Sequence, residues 1–304
     1  MTLTVNIATR GRPDLLVKTL EHTMPCVSRK DTVVMISVDE DDKDTLGALN
    51  RLPTDDRIHV SVKPREDSRG EKYGRALKEH PASVYLPTVD CAPLITPAWD
   101  QIILDAANVF PDGIGCVYTP MSNHHFPGLQ APTARLVEYL GHIYNPEYPF
   151  WFVDHEMDDI CRMIGRYVFV DIAFPNGEWR PSTTIRMRHL KFWVHYFHLL
   201  TEERTRRAWS IIDSQEFLGS KSYKALLKNQ SIVVAARSAG INTNVLENAA
   251  LIEEQRGDKN PVEDDPGYLR ALKRAQDKLK AMADNHELDH MAPNGLPPEL
   301  FGAT

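Results

Sequence analysis

Several short groups of residues in this chain combine side-chain types and spacings that can do chemistry. One is Thr9-Arg10-Gly11-Arg12-Pro13. A glycine-bearing turn that feeds a helix offers backbone N–H groups, and two arginines add fixed positive charge, which suits a phosphate or a ribose. The same residues would equally serve as an exposed turn. Asp39 ends the apolar run TVVMISV and precedes Glu40, Asp41 and Asp42. A carboxylate there can accept hydrogen bonds from a nucleobase or ribose, while Asp41 is assigned to capping the helix that follows. Asp90 ends a second apolar run, SVYLPTV, and carboxylates are natural ligands for the Mg²⁺ or Mn²⁺ that holds a diphosphate. Its plainer reading is a turn residue.

Two further groups lie downstream. Asp154-His155-Glu156, with Asp158 and Asp159 close behind, follows an aromatic loop and opens a helix. A carboxylate in that position can act as general base toward an acceptor hydroxyl, although acids in a first helical turn also complement its dipole. Spacing assigns Asp158 and Asp159 to that second role. His189 follows the strand-like TTIRM and is a candidate metal ligand; His195 and His198, within FWVHYFHLL, read as core or surface residues. The aromatic loop at 148–152 is suited to stacking on a sugar or acceptor ring, or to core packing. No H-E-x-x-H, Walker A, G-x-S-x-G or G-x-G-x-x-G pattern occurs, which removes the main support for several enzyme classes.

The elements that must position these residues alternate in period. Strands are expected at residues 3–8, 32–38, 57–63, 83–89 and 115–119, with helices at 13–23, 42–52, 70–80 and 97–110 between them. Strand–helix alternation with short links predicts an α/β fold, a mainly parallel Rossmann-like sheet flanked by helices, in which ligands sit at the carboxyl ends of the strands. Residues 122–132 read as a loop, 133–143 and 154–166 as helices, and 167–174 and 183–187 as strands. Beyond residue 200 the pattern is helical at 202–217, 221–239 and 266–283, with a charged, proline-bearing linker at 254–266. The expected division is therefore an α/β domain over 1–200 and a helical C-terminal extension over 201–304.

Composition narrows the setting. The chain has 304 residues, 42% hydrophobic, and a formal net charge of −7. That size and apolar content support a core without disulfides, and the charge argues against wholesale electrostatic binding of nucleic acid or anionic membrane. Arg204, Arg206 and Arg207 form a local basic cluster, read as a solvated helix face. Cys26, Cys91, Cys116 and Cys161 are scattered, which suits a reducing compartment. The opening MTLTVNIATRGRP lacks a signal-peptide pattern, and no run approaches the roughly 18 apolar residues of a membrane span. A cytoplasmic location is expected.

In order along the chain, these groups resemble the A-type glycosyltransferases, including family-two-like enzymes of bacteria and phages. VNIATRGRPDLLVKTLEHT is similar to that family's first strand, nucleotide loop and helix; ISVDEDD to its second strand; SRGEKYGRALKEHPASVYLPTVDC to the stretch leading into the D-x-D motif; and PAWDQII to the helix after it. WFVDHEMDDICRMIGR resembles the segment with the catalytic base, and TTIRMRH the strand with a metal-binding histidine. The resemblance spans roughly residues 3–200. It implies that Thr9, Arg10 and Arg12 contact the nucleotide, Asp39 its base, Asp90 the metal and diphosphate, Asp154 or Glu156 the acceptor, and His189 the metal. The D-x-D position reads Val89-Asp90-Cys91, with one carboxylate where the family has two. The implied activity is metal-assisted, inverting transfer of a sugar from a nucleoside diphosphate sugar to an acceptor hydroxyl. A nucleotidyltransferase of similar fold and a non-catalytic nucleotide-sugar-binding module are the alternatives. The acceptor, a nucleic acid among the candidates, and the oligomeric state stay open.

Overall fold

The computed structural model describes residues 1–120, 127–174, 189–238 and 266–292, with 296 and 300. Strands β1 (Leu3–Ala8), β2 (Val33–Asp39), β3 (Ile58–Lys63) and β4 (Val84–Val89) form a parallel sheet in the order β3-β2-β1-β4. Between and after them run α1 (Pro13–Thr23), α2 (Lys43–Gly47), α3 (Arg69–Glu79) and α4 (Trp99–Ala107). The strands are apolar nearly throughout because both faces are covered. Val5, Ile7, Val34 and Ile36 share a core with Leu16 and Leu20 of α1 and with Trp99 and Ile103 of α4. Met35 and Tyr85 belong to a second core, with Tyr73 and Ala76 of α3.

A second sheet, of β5 (Cys116–Pro120), β6 (Pro127–Pro132) and β7 (Tyr167–Phe169), has the order β6-β5-β7, antiparallel on one side and parallel on the other. An antiparallel bridge from Val84 to Thr133 ties it to β4. Six helices complete the described chain: α5 (Ala134–Leu140), α6 (Val153–Ile164), α7 (Leu190–Leu199), α8 (Thr201–Ile212), α9 (Tyr223–Ser238) and α10 (Pro266–Asp284).

The expected α/β architecture is present, with local differences. The helix expected over 42–52 stops at Gly47 and passes into a 3-10 turn, Leu49–Arg51. Glycine is a poor helix former, and Pro53 disfavours helical backbone before it. Residues 127–132 form β6 rather than loop; the strand lies at the end of its sheet, where terminal prolines are tolerated. Helix α7 had no expected counterpart: Phe192, Trp193, Val194, Tyr196 and Phe197 are all buried, so no polar stripe marks its period. The expected strand at 183–187 lies outside the described residues, as does the linker up to residue 265.

The C-terminal helices continue the second core. Ala208, Ile211, Leu226, Tyr268 and Leu272 belong to the same cluster as Tyr85 and Cys116. The arginine cluster on α8 is not a solvated face. Arg204 is buried, its Nε 2.9 Å from Asp159 Oδ2 and its guanidinium 3.7 Å from the Phe197 ring centroid. Arg207 donates to Glu156, and Arg206 alone of the three is exposed. Helix α10 buries Tyr268, Ala271, Leu272, Ala275 and Leu279, one helical stripe, and sends Arg270 and Arg274 to Asp67 and Lys278 to Glu147 and Glu203.

Candidate functional site

Parallel strands all end at one edge, and the register decides what meets there. Ala8 pairs with Ser37 on one side and Val89 on the other, so the turn after β1 lies between Asp39 and Asp90. Thr9 Oγ1 donates to Asp90 Oδ2 at 2.7 Å, and Arg12 Nη2 stands 2.7 Å from Asp90 Oδ1. On the other side Arg10 Nη1 lies 3.0 Å from Asp39 Oδ2 and also grips Asp41 with both terminal nitrogens. Thr9 and Arg12 thus meet Asp90 on one side of this turn, and Arg10 meets Asp39 on the other, along one edge of the sheet. Gly11 adopts φ +63° and donates its N–H to Asp42, which also accepts from Thr45 N and so caps α2. Asp42, not Asp41, is the cap; Asp41 serves Arg10.

Asp90 is fully buried, and its Oδ1 accepts no well-aligned hydrogen bond. Burial pushes its carboxyl above the usual range, against the pull of Arg12 and Thr9.

Helix α3 supplies the rest of this edge. Asn6, in the middle of β1, donates to the carbonyls of Lys72 and Tyr73 and accepts from Ser37, docking α3 against the sheet. Lys72 Nζ consequently lies 2.5 Å from Asp39 Oδ1, with Arg75 Nη2 3.5 Å away. The Tyr73 hydroxyl donates to Thr88 O at 2.9 Å, two residues before Asp90. Sequence reading had not singled out Lys72, Tyr73 or Arg75. Their signal was a basic and aromatic set at one-turn spacing on a helix between the two acid-ended strands.

The second half of the candidate site is the start of α6. Phe152 precedes it at φ +69°, a conformation that costs a non-glycine residue roughly 1–2 kcal/mol. Asp154 is half-exposed: its Oδ1 accepts from the backbone N–H of His155 and lies 2.9 Å from His155 Nδ1. Desolvation acts to raise its pKa, but His155 outweighs this and holds the carboxyl below the usual range. Gln130 of β6 fixes the Asp154 carbonyl at 2.8 Å. Glu156 differs. It is buried, one oxygen accepting from Asn145 Nδ2 at 2.8 Å and the other from Arg207 Nη1 at 2.7 Å. Both oxygens are engaged in joining α6 to α8 and to the preceding loop. The aromatic loop divides likewise: Tyr148 and Phe152 pack in the core, while Phe150 and Trp151 stay partly exposed.

His189 begins α7 in a left-handed conformation, φ +49°, and its contacts run to α10. Its ring stacks on Tyr268, and Nδ1 lies 3.1 Å from the Tyr268 hydroxyl. Among the described residues no group of three or more His, Cys, Asp or Glu converges as a metal cluster. His195 and His198 are partly buried on α7, in keeping with the packing role read for them. Among the described residues no helix is long and apolar enough to cross a membrane.

No family model matches the sequence, and no curated protein matches it. Solved structures do match in fold. Residues 1–349 of S. aureus TarS superpose at a TM-score of 0.51 and 11% identity, over 91% of this chain and 80% of that one. The mannosyltransferase PcManGT from Pyrobaculum calidifontis, in complex with GDP-Man and Mn²⁺, gives a TM-score of 0.48 at 14% identity, over 91% and 86%. The fold is that of the A-type glycosyltransferases.

Proposed function

We propose that this chain transfers a sugar from a nucleoside diphosphate sugar to an acceptor hydroxyl. The observation that carries this reading is the convergence of Thr9, Arg10, Arg12, Asp39 and Asp90 at the carboxyl edge of the parallel sheet, where such folds bind nucleotides. Asp39, with Arg10, would receive the nucleoside. Arg12 and Asp90 would face the diphosphate, whose leaving oxygen gains charge as the anomeric carbon–oxygen bond breaks. Asp154 would take the proton from the acceptor hydroxyl, whose oxygen then attacks the anomeric carbon from the opposite side and inverts it. Held below the usual carboxylate range and half-exposed, Asp154 is ionised near neutral pH and open to an acceptor. Glu156, with both oxygens engaged, is the weaker candidate for that role.

A divalent cation fits this edge as a partner of donor phosphates rather than as a resident of an all-protein cage. Asp90 offers one buried carboxylate, and Mg²⁺ or Mn²⁺ can complete its shell with phosphate oxygens and water. His189, whose Nδ1 lies 3.1 Å from the Tyr268 hydroxyl, is proposed as a second ligand on the resemblance. Such a cation would add positive charge beside the diphosphate. We further propose a hexosyl donor and, in line with the free cysteines, a cytoplasmic location.

A thermal-shift screen of nucleoside diphosphates and their sugars, with and without Mn²⁺, tests the reading. A ligand at about 100 times its dissociation constant stabilises the fold by roughly 2.7 kcal/mol. If no nucleoside diphosphate moves the melting temperature, the donor-site assignment is wrong.

A further inference from the structure

We propose that Arg69, whose guanidinium lies over the Phe150 ring, is a phosphate-binding residue of this site, supplying a cation to the donor diphosphate; the inference rests on the function proposed above. The argument begins with charge. Arg10 is paired with Asp39 and Asp41, Arg12 with Asp90, Lys72 with Asp39, and Arg75 with Asp39 and Glu66. Each cation of the edge is already matched by a carboxylate. Arg69 makes no ion pair among the described residues. Its guanidinium carbon sits 4.1 Å from the Phe150 ring centroid.

A guanidinium centred over an aromatic ring keeps N–H donors for other partners, and those donors are what arginine uses to grip phosphate. Position supports the same role. Arg69, Lys72 and Tyr73 stand at i, i+3 and i+4, so the helix face that delivers Lys72 to Asp39 and Tyr73 to the carbonyl of Thr88 also carries Arg69. Ser68 caps the helix immediately before it, and Arg69 N–H donates to Pro149 O at 3.2 Å, tying this end of α3 to the aromatic loop. Gly70 makes that approach possible: a Cβ there would stand 2.6 Å from Tyr144 O. The arginine is therefore held between the Asp90 edge and the loop that leads to Asp154. With a single carboxylate at Val89-Asp90-Cys91, a diphosphate here needs more neutralisation from side chains, and Arg69 has charge to give.

The test compares wild type, Arg69→Ala, Arg69→Lys and Phe150→Leu by calorimetric titration. The probes are UDP, GDP, ADP and CDP, with uridine, guanosine, adenosine and cytidine as phosphate-free controls. Arg69→Ala should weaken the preferred diphosphate roughly 10- to 100-fold, the span of a hydrogen bond between charged groups, and leave its nucleoside unchanged. Arg69→Lys keeps the charge but not the planar guanidinium and should fall between; Phe150→Leu, which removes the ring beneath it, should lose less than Arg69→Ala. Unligated melting temperatures identify any variant that fails to fold, and Arg69→Lys then carries the comparison. Diphosphate affinity unchanged in Arg69→Ala, or lost equally for diphosphate and nucleoside, overturns the phosphate role while the donor site stands. A wild type that binds no diphosphate overturns both.

Discussion

Lys72 Nζ lies 2.5 Å from Asp39 Oδ1, and both side chains are almost wholly removed from water. Burial pushes the Lys72 ammonium below its usual pKa while Asp39 pulls it back, so the pair is a compromise between desolvation and Coulomb attraction. Arg10 and Arg75 approach the same carboxylate. Asp39→Asn would leave these cations uncompensated and should cost about 3–5 kcal/mol. Lys72→Met leaves Asp39 still paired with two arginines and should cost less. Urea unfolding measures both; equal losses would mean that the cluster does not depend on its central carboxylate.

Arg10 separates binding from stability. Its side chain is 36% exposed, and its pair with the more exposed Asp41 is a surface contact worth about 1 kcal/mol or less. Arg10→Ala leaves Asp39 paired with Lys72 and Arg75, so it should lower the unfolding midpoint less than Asp39→Asn does, yet weaken nucleoside diphosphate binding at least tenfold, by loss of a charged hydrogen bond. Calorimetric titration showing wild-type affinity would reduce Arg10 to a surface ion pair.

The neighbouring carboxylates of α6 should fail in different assays. Asp154→Asn keeps the shape of a half-exposed side chain and should leave donor binding intact while lowering transfer by about 10²–10⁴, the usual contribution of a general base. Glu156→Gln removes charge from a buried pair with Arg207 and should appear as lost thermal stability. Transfer rates and melting temperatures of the two variants, measured side by side, decide this. A Glu156→Gln protein of native stability without transfer would move the base to Glu156.

The parts of the site that were legible in sequence are those written in one segment. TVVMISV and SVYLPTV are apolar because both their faces are covered, and each ends in the acid that the sheet edge needs. The turn TRGRP follows a strand and so falls at that edge. What was not legible depends on pairing between segments. Lys72 reaches Asp39 only because Asn6 docks α3 on the sheet, and nothing local to SRGEKYGR announces that contact. Asp154 and Glu156 look alike in sequence. They diverge because a helix turns one toward solvent and the other toward Arg207, which lies on an element about 50 residues later. Arg204 looked like surface charge for the same reason: its partners, Asp159 and the Phe197 ring, come from other helices.

Gly70 offers a packing prediction. An added methyl would stand 2.6 Å from Tyr144 O and 2.8 Å from Asn145 O, both backbone atoms that cannot swing aside. Gly70→Ala should thus destabilise by about 1–3 kcal/mol, as overpacking does, even though alanine is the better helix former. It should also weaken diphosphate binding, because Arg69, Lys72 and Tyr73 move with the helix. Unchanged stability would show that the loop yields easily and that α3 is not set by this contact.

The last prediction concerns acid. Arg270 and Arg274 of α10 both reach Asp67, one residue before the cap of α3, and Arg270, ahead of Arg274, holds the Asp67 carboxyl below its ordinary value of 3.8. The folded state therefore binds this proton more weakly than the unfolded chain does. Stability from the contact is complete well above that ordinary value and disappears as pH falls through the lower, folded value. Both arginines are more than half exposed, which limits each pair to about 1 kcal/mol or less. Urea unfolding of wild type and Arg270→Ala/Arg274→Ala at pH 6, 4 and 3 reads the effect, to which Glu71, 4.0 Å from Arg274, adds a weaker share. Wild type should be the more stable at pH 6, and the gap should narrow between pH 4 and 3. A gap that persists undiminished at pH 3 would mean that the arginines act through packing on α10, and that charge at Asp67 does not fasten this helix to the start of α3.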